Sequence, residues 1–252
     1  MRRKLAIATL LAFTLIPVAD AANPARDVLW VALQGCVLAK KAAGRSFPCL
    51  SVDLGDAVRP GTAVLRAPGE PTHTVVMPTD NVSGIEAPVL QGPRGVAYWK
   101  AALDARHFVT DALKDRLPIA AVGLEVNSVD GRSQDQLHIH LDCMRRSVMA
   151  ALKAHGSAVG ETWAPFPVPL ADDDYLALRV PADAVERFNP FEALSRVPGW
   201  RGRLHDVSFA AVAADPDDPA SGMIVLAYRM PEASAEELMD HECRVARPGR
   251  AR

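Results

Sequence analysis

His138 and His140 are the one close pair among seven histidines in this sequence. Around them Leu137, Ile139 and Leu141 alternate with Gln136, His138, His140 and Asp142. A period of two marks a β-strand with its apolar set on one face. Both imidazoles therefore leave the same, polar face, roughly 7 Å apart along the backbone. Three readings fit such a pair. The rings can be solvated strand residues without a role. They can ligate a metal together with Asp142, although the sequence places no further ligand beside them. Or one ring can be a nucleophile at phosphorus. A neutral imidazole attacks without first losing a proton, provided an acceptor on its other nitrogen fixes the tautomer. The second histidine, with Gln134, Gln136 and the Asn127 loop, then donates hydrogen bonds to phosphoryl oxygens.

The surrounding segments must position these rings. Residues 120–126 read as a partner strand, and the Asn127 to Ser133 stretch, with Asp130-Gly131, is turn chemistry. Together they make a hairpin. Upstream, residues 27–43 have helical spacing stopped by Gly44. Residues 49–53, 62–65 and 72–77 read as strands, with His73 taken as an ordinary strand residue. Residues 95–114 form an amphipathic helix: Tyr98, Ala102, Ala105 and Val109 lie on its apolar face, with a solvated His107 opposite. A further helix runs from about 145 to 153. The 161–203 segment is irregular. Its interleaved prolines and aromatics, Trp163 and Phe166 among them, either pack a loop on the core or line an apolar groove. Residues 175–180 read as a strand, residues 182–188 and 190–195 as helical turns, and 207–214 with 223–228 as a second hairpin. Ser234 and Glu237 form a capping box that opens a last helix to about Cys243. The sum is an α+β fold around a mainly antiparallel sheet. A doubly wound fold is not expected, because no glycine-rich strand-to-helix phosphate loop is present in the sequence.

Composition narrows the function classes. With 252 residues and 49% hydrophobic content the chain can bury a large core, and a net charge of −2 argues against a nucleic-acid partner. Arg2, Arg3 and Lys4 precede an apolar run over residues 5–18, and Ala19-Asp20-Ala21 fits a small-x-small cleavage site. The run is shorter than the ~18 residues of a spanning helix. Residues 1–21 are thus expected to be a signal peptide or an N-terminal membrane anchor, with the globular part, residues 22–245, outside the cytoplasm. Residues 246–252 form a basic tail. Four cysteines in an exported chain suggest two disulfides: the short loop pairs Cys36 with Cys49, leaving Cys143 for Cys243. A four-cysteine zinc site lacks the usual C-x-x-C spacing.

Asn127, the glycine-bearing turn, and then Leu-His-Ile-His-Leu resemble the signature of the histidine triad superfamily, which works through nucleotidyl-histidine intermediates. Val75-Val76-Met77-Pro78, a loop and the 95–114 helix are similar to that family's order of parts. Other features resemble one branch more closely, the CDP-diacylglycerol pyrophosphatases. They are the N-terminal apolar segment, the 36/49 cysteine pair, Met77-Pro78-Thr79, Glu86 with Pro88, His138-Ile139-His140 with Cys143 and Arg145, Asn189-Pro190-Phe191, and His241-Glu242-Cys243. The resemblance spans roughly residues 30 to 245. It implies hydrolysis of CDP-diacylglycerol to CMP and phosphatidate with no cofactor, at a membrane surface, in the periplasm or anchored to a bacterial inner membrane. His138 is the implied nucleophile and His140 a catalytic partner. Asn127, Ser133, Gln134, Gln136 and Arg145 are the implied substrate-binding residues. The chain departs from the pattern at Gln136, where the first triad histidine belongs; glutamine keeps a hydrogen bond but cannot carry a proton at neutral pH. A broader exported nucleotide pyrophosphatase or nucleotidyl transferase, and a non-catalytic envelope protein that binds nucleotide or lipid, are the competing functions.

Overall fold

The computed structural model describes residues 24–246. The leader and the basic tail, but for Ala246, lie outside those residues. Nine strands form one antiparallel sheet in the order β1-β2-β3-β5-β4-β8-β9-β7-β6. They are β1 (Ser51–Asp53), β2 (Thr62–Arg66), β3 (Thr74–Pro78), β4 (Val122–Val126), β5 (Ile139–Cys143), β6 (Ala164–Pro165), β7 (Leu176–Val180), β8 (Val207–Ala213) and β9 (Met223–Arg229). The helices are α1 (Val28–Ala43), α2 (Pro93–Ala105), α3 (His107–Ala112), α4 (Arg146–His155) and α5 (Pro190–Ser195). Both expected hairpins are present, as the β4–β5 and β8–β9 pairs.

Alternation along the central strands decides what each face buries. Leu124, Leu141, Phe209, Ala211 and Val225 point to one side and pack with Tyr98 and Trp99 of α2 and Phe191 of α5. The other side is shared. At one end Val75 and Met77 pack with Leu33, Cys36 and Val37 of α1. At the far end Ala210, Val212, Ile224 and Leu226 pack with Val148 and Leu152 of α4. Between these two clusters lies the polar face of β5. The register sets His140 opposite both Val75 of β3 and Glu125 of β4. This middle strip is covered by the C-terminal segment, not by a helix. Met239 bridges to Met144, Asp240 N–H donates to the Cys143 carbonyl, and Ser128 N–H donates to the Ala233 carbonyl.

Several expectations change. The last helix is only a 3₁₀ turn, Ala235–Leu238, without a side-chain cap from Ser234. Pairing of Met239 and Asp240 with the end of β5 holds that stretch extended. The 95–114 helix breaks at Arg106 into α2 and α3. The 161–203 aromatics pack on the core: Phe166 is buried, and Trp163 donates to the Ala193 carbonyl. The disulfides form as Cys36–Cys49 and Cys143–Cys243. Among the described residues no helix is long and apolar enough to cross a membrane.

Candidate active site

His138 stands one residue before β5 and is only 7% exposed, and His140 within the strand is 6% exposed. The polar face of this strand is therefore buried, not solvated, because the C-terminal segment lies over it. His138 Nδ1 lies 2.6 Å from the Gln136 carbonyl oxygen. Only a protonated Nδ1 can make that bond, so the Nε2 lone pair is free. Burial pushes the His138 imidazole toward its neutral form, although the Gln136 carbonyl opposes this. The ring borders a small crevice lined by Gly84, Val126, Asn127, Arg132 and Leu137.

His140, in edge contact with the His138 ring, belongs to a histidine–carboxyl cluster. Its Nδ1 is 2.7 Å from His73 Nε2 and 3.4 Å from Glu236 Oε1. Its Nε2, buried without a hydrogen-bond partner, is 3.8 Å from Glu125 Oε2. His73 Nδ1 meets Glu70 at 2.5 Å. His241 stacks on His73 with ring centroids 4.1 Å apart. His241 Nδ1 is 2.8 Å from Asp142 Oδ2, and its Nε2 is 3.3 Å from Glu236 Oε1. Asn127 Nδ2 donates to Glu236 Oε2 at 3.0 Å. The Cys143–Cys243 bridge pins His241 to the end of β5.

Environment sets the protonation of each group. Complete burial, with neighbouring Glu236, holds Glu125 well above the usual carboxylate range. Burial holds His140 well below the ordinary imidazole value. Burial most strongly disfavours the Glu236 carboxylate, but the His241 hydrogen bond, the His140 and His73 rings and the Asn127 hydrogen bond together outweigh it, and its carboxyl is held below the ordinary value. The Asp142 hydrogen bond, then that to Glu236, raises His241 to about 10, so it is an imidazolium.

The structure brings some of the expected residues together and not others. His138 and Asn127 meet at the crevice, and Gln136 holds the His138 ring through its backbone carbonyl. Gln136 donates to the Pro78 and Asp80 carbonyls, which fixes the entry to β5 where a first triad histidine is expected. Ser133 is exposed. Gln134 accepts from Leu29 N–H and donates to the Ala25 carbonyl, binding the start of α1. Arg145 donates to the Met239 carbonyl and shares a surface pocket with His241. Asp142 serves His241 and does not join His138. His73, read as an ordinary strand residue, is a member of the cluster. Glu70, Glu125, Glu236 and Arg132 had not been singled out. Pairing β3 beside β5 is the signal for His73; no local signal marks Glu236. Arg132 forks onto both oxygens of Glu86 at 2.8 and 2.9 Å and reaches Asp135, walling the crevice with an ion-paired guanidinium.

A neutral imidazole with one nitrogen held and the other open, beside a wired set of histidines and carboxyls in an α+β sheet, defines an enzyme site. Sequence comparison supplies the family. The chain belongs to the CDP-diacylglycerol pyrophosphatase family, whose model matches residues 24–247. It is similar to the CDP-diacylglycerol pyrophosphatase of Yersinia pestis, at 32% identity over 226 residues, which cover 87% of this chain and 84% of that protein. It is also similar to a probable CDP-diacylglycerol pyrophosphatase of Mycobacterium leprae (strain TN), at 33% identity over 223 residues, covering 88% and 82%.

Proposed function

We propose that this chain hydrolyses the pyrophosphate bond of CDP-diacylglycerol to CMP and phosphatidate, through a nucleotidyl-histidine intermediate on His138. The observation that carries the reading is the 2.6 Å contact between His138 Nδ1 and the Gln136 carbonyl, which leaves Nε2 as the open nucleophile. Nε2 attacks the phosphorus that bears cytidine, and the P–O bond to phosphatidate breaks with its electrons on the departing oxygen. Water then attacks the same phosphorus, the P–N bond breaks, and CMP leaves with His138 restored. His140 and the Asn127 loop flank the phosphoryl oxygens. Membership of the family supports this substrate, and the two disulfides support an oxidising compartment. The apolar leader run fits a periplasmic enzyme, or one anchored to the inner membrane so that it meets its lipid substrate at the bilayer.

The test is a rapid quench at neutral or alkaline pH with cytidine-labelled CDP-diacylglycerol. Label retained on His138, stable to base and labile to acid, is expected. His138→Ala folds and loses both label and turnover. His140→Ala is expected to slow turnover by roughly 10²–10³-fold, as for a lost oxyanion donor. An unlabelled wild-type protein, together with substantial turnover by His138→Ala, refutes the assignment.

A further inference from the structure

We propose that His73 Nε2, His140 Nδ1 and Glu236 Oε1 form a binding site for a zinc-class divalent metal ion, beside but separate from His138. The three donors lie mutually close: 2.7 Å between the two nitrogens, and 3.7 and 3.4 Å from Glu236 Oε1 to His73 and His140. A tetrahedral ion with bonds of about 2.0–2.1 Å separates its ligand atoms by about 3.3 Å. Both carboxylate–imidazole distances are near that edge. The two nitrogens need to part by about 0.6 Å, a small ring rotation.

The groups behind the donors make a stronger argument than the distances. Metal-bound imidazoles characteristically give their other ring N–H to a carboxyl group or carbonyl, which orients the lone pair toward the metal. His73 has Glu70 on Nδ1 at 2.5 Å, and His140 has Glu125 facing its buried Nε2 at 3.8 Å. Glu236 has its second oxygen held by Asn127, while His241, itself backed by Asp142, approaches the first oxygen at 3.3 Å. His73 and Glu236 thus each have an outer hydrogen-bond partner, and His140 has a buried carboxyl group facing its other, unpartnered ring nitrogen. Two imidazoles and one carboxylate leave at least one coordination position open, the ligand set of a hydrolytic zinc centre. Glu236 retains 27% side-chain exposure.

The site goes beyond the reading of His138 and does not depend on it. His138 is not a ligand: its Nδ1 is held by Gln136, and its Nε2 stays free to attack. If both readings hold, the ion, rather than an N–H of His140, would neutralise phosphoryl oxygens brought against His138, whose ring centroid lies 4.7 Å from that of His140.

The experiment uses the full chain, stripped with chelator, desalted and titrated with Zn²⁺ or Co²⁺. Wild type and His138→Ala are expected to retain about one equivalent per chain, and the cobalt form to show the intense visible bands of a four- or five-coordinate site. His73→Ala and Glu236→Gln are expected to fall below about a tenth of an equivalent. Glu236→Gln is nearly isosteric, and its circular dichroism and melting temperature check that it folds. A wild type that retains no metal and shows no cobalt bands overturns the proposal. So does equal retention by Glu236→Gln, which marks an adventitious ion only. Histidine labelling in the quench experiment is scored separately, so either reading can fail alone.

Discussion

Arg132 offers a sharp test of how the His138 crevice is held. Its side chain is 5% exposed and makes a two-pronged bond to Glu86, whose side chain is 26% exposed, with Asp135 as a third contact. Arg132→Ala leaves the Glu86 carboxylate partly buried and unpaired. Breaking a fully buried pair costs about 3–5 kcal/mol; the solvent that reaches Glu86 reduces this to about 2–4 kcal/mol. At roughly 2–4 °C per kcal/mol for a domain of this size, the melting temperature falls by about 5–15 °C. The pH dependence has a definite sign. Burial opposes ionisation of Glu86, but Arg132 outweighs it and the carboxyl is held below its ordinary value. Its stabilising contribution is therefore present above the unfolded value near 4.3 and is lost as pH falls through the lower folded value. In Arg132→Ala the carboxyl titrates upward, so the gap from wild type closes on acidification. Calorimetry or thermal melts between pH 3 and pH 7 measure this, with Glu86→Gln and the Arg132→Ala/Glu86→Gln pair completing the cycle. The pair is expected to recover more than half of the single-variant loss. Additive losses in the cycle, or an Arg132→Ala deficit that persists unchanged at low pH, refute the reasoning.

Three further outcomes follow from the same geometry. Gln136→Ala strips the Pro78 and Asp80 carbonyls of their donor, and is expected to cost about 1–3 kcal/mol by denaturant melts and to lower turnover through the misplaced His138. Gly131→Ala sets a methyl against the Ala233 carbonyl, pushing back the segment that carries Glu236. Turnover should drop more than stability, as read by kcat beside thermal melts. Cys243→Ser opens a 100-residue loop, a loss of about 2–5 kcal/mol on reversible unfolding, and frees His241 from β5. Activity loss should exceed that of Cys36→Ser, whose bridge lies at α1.

Much of the architecture was legible because it is local. The period-two run at 137–141, the turn at Asp130-Gly131 and the two late apolar strands all declare themselves within a few residues. The cysteine pairs followed from counting and loop length. What the sequence concealed was burial of the polar face. Alternation says that His138 and His140 share a side; it cannot say that residues 231–243 return to cover it. For the same reason His73 read as an ordinary residue, since its meaning comes from β3 lying against β5. Glu236 was masked by a local pattern pointing elsewhere: Ser234 and Glu237 look like a helix cap, whereas pairing of Met239 to Met144 turns that stretch into the wall of the site. Gln134 shows the converse. Its place in the loop suggested phosphate binding, but its hydrogen bonds go to the start of α1.

The way the C-terminal segment closes over β5 has a consequence for when this enzyme acquires its site. His73 and His140 are 67 positions apart, and His241 lies 99 positions down the chain from Asp142, its partner. Contacts so distant in sequence form late and slowly. A chain emerging N-terminus first would have its sheet strands available before Glu236 and His241 arrive. The cluster beside His138 would assemble only when that last stretch docks and Cys243 meets Cys143. Loss of even a short piece from Glu236 onward leaves every strand intact yet the site incomplete, which makes integrity of the final residues a natural checkpoint between a folded chain and a working one.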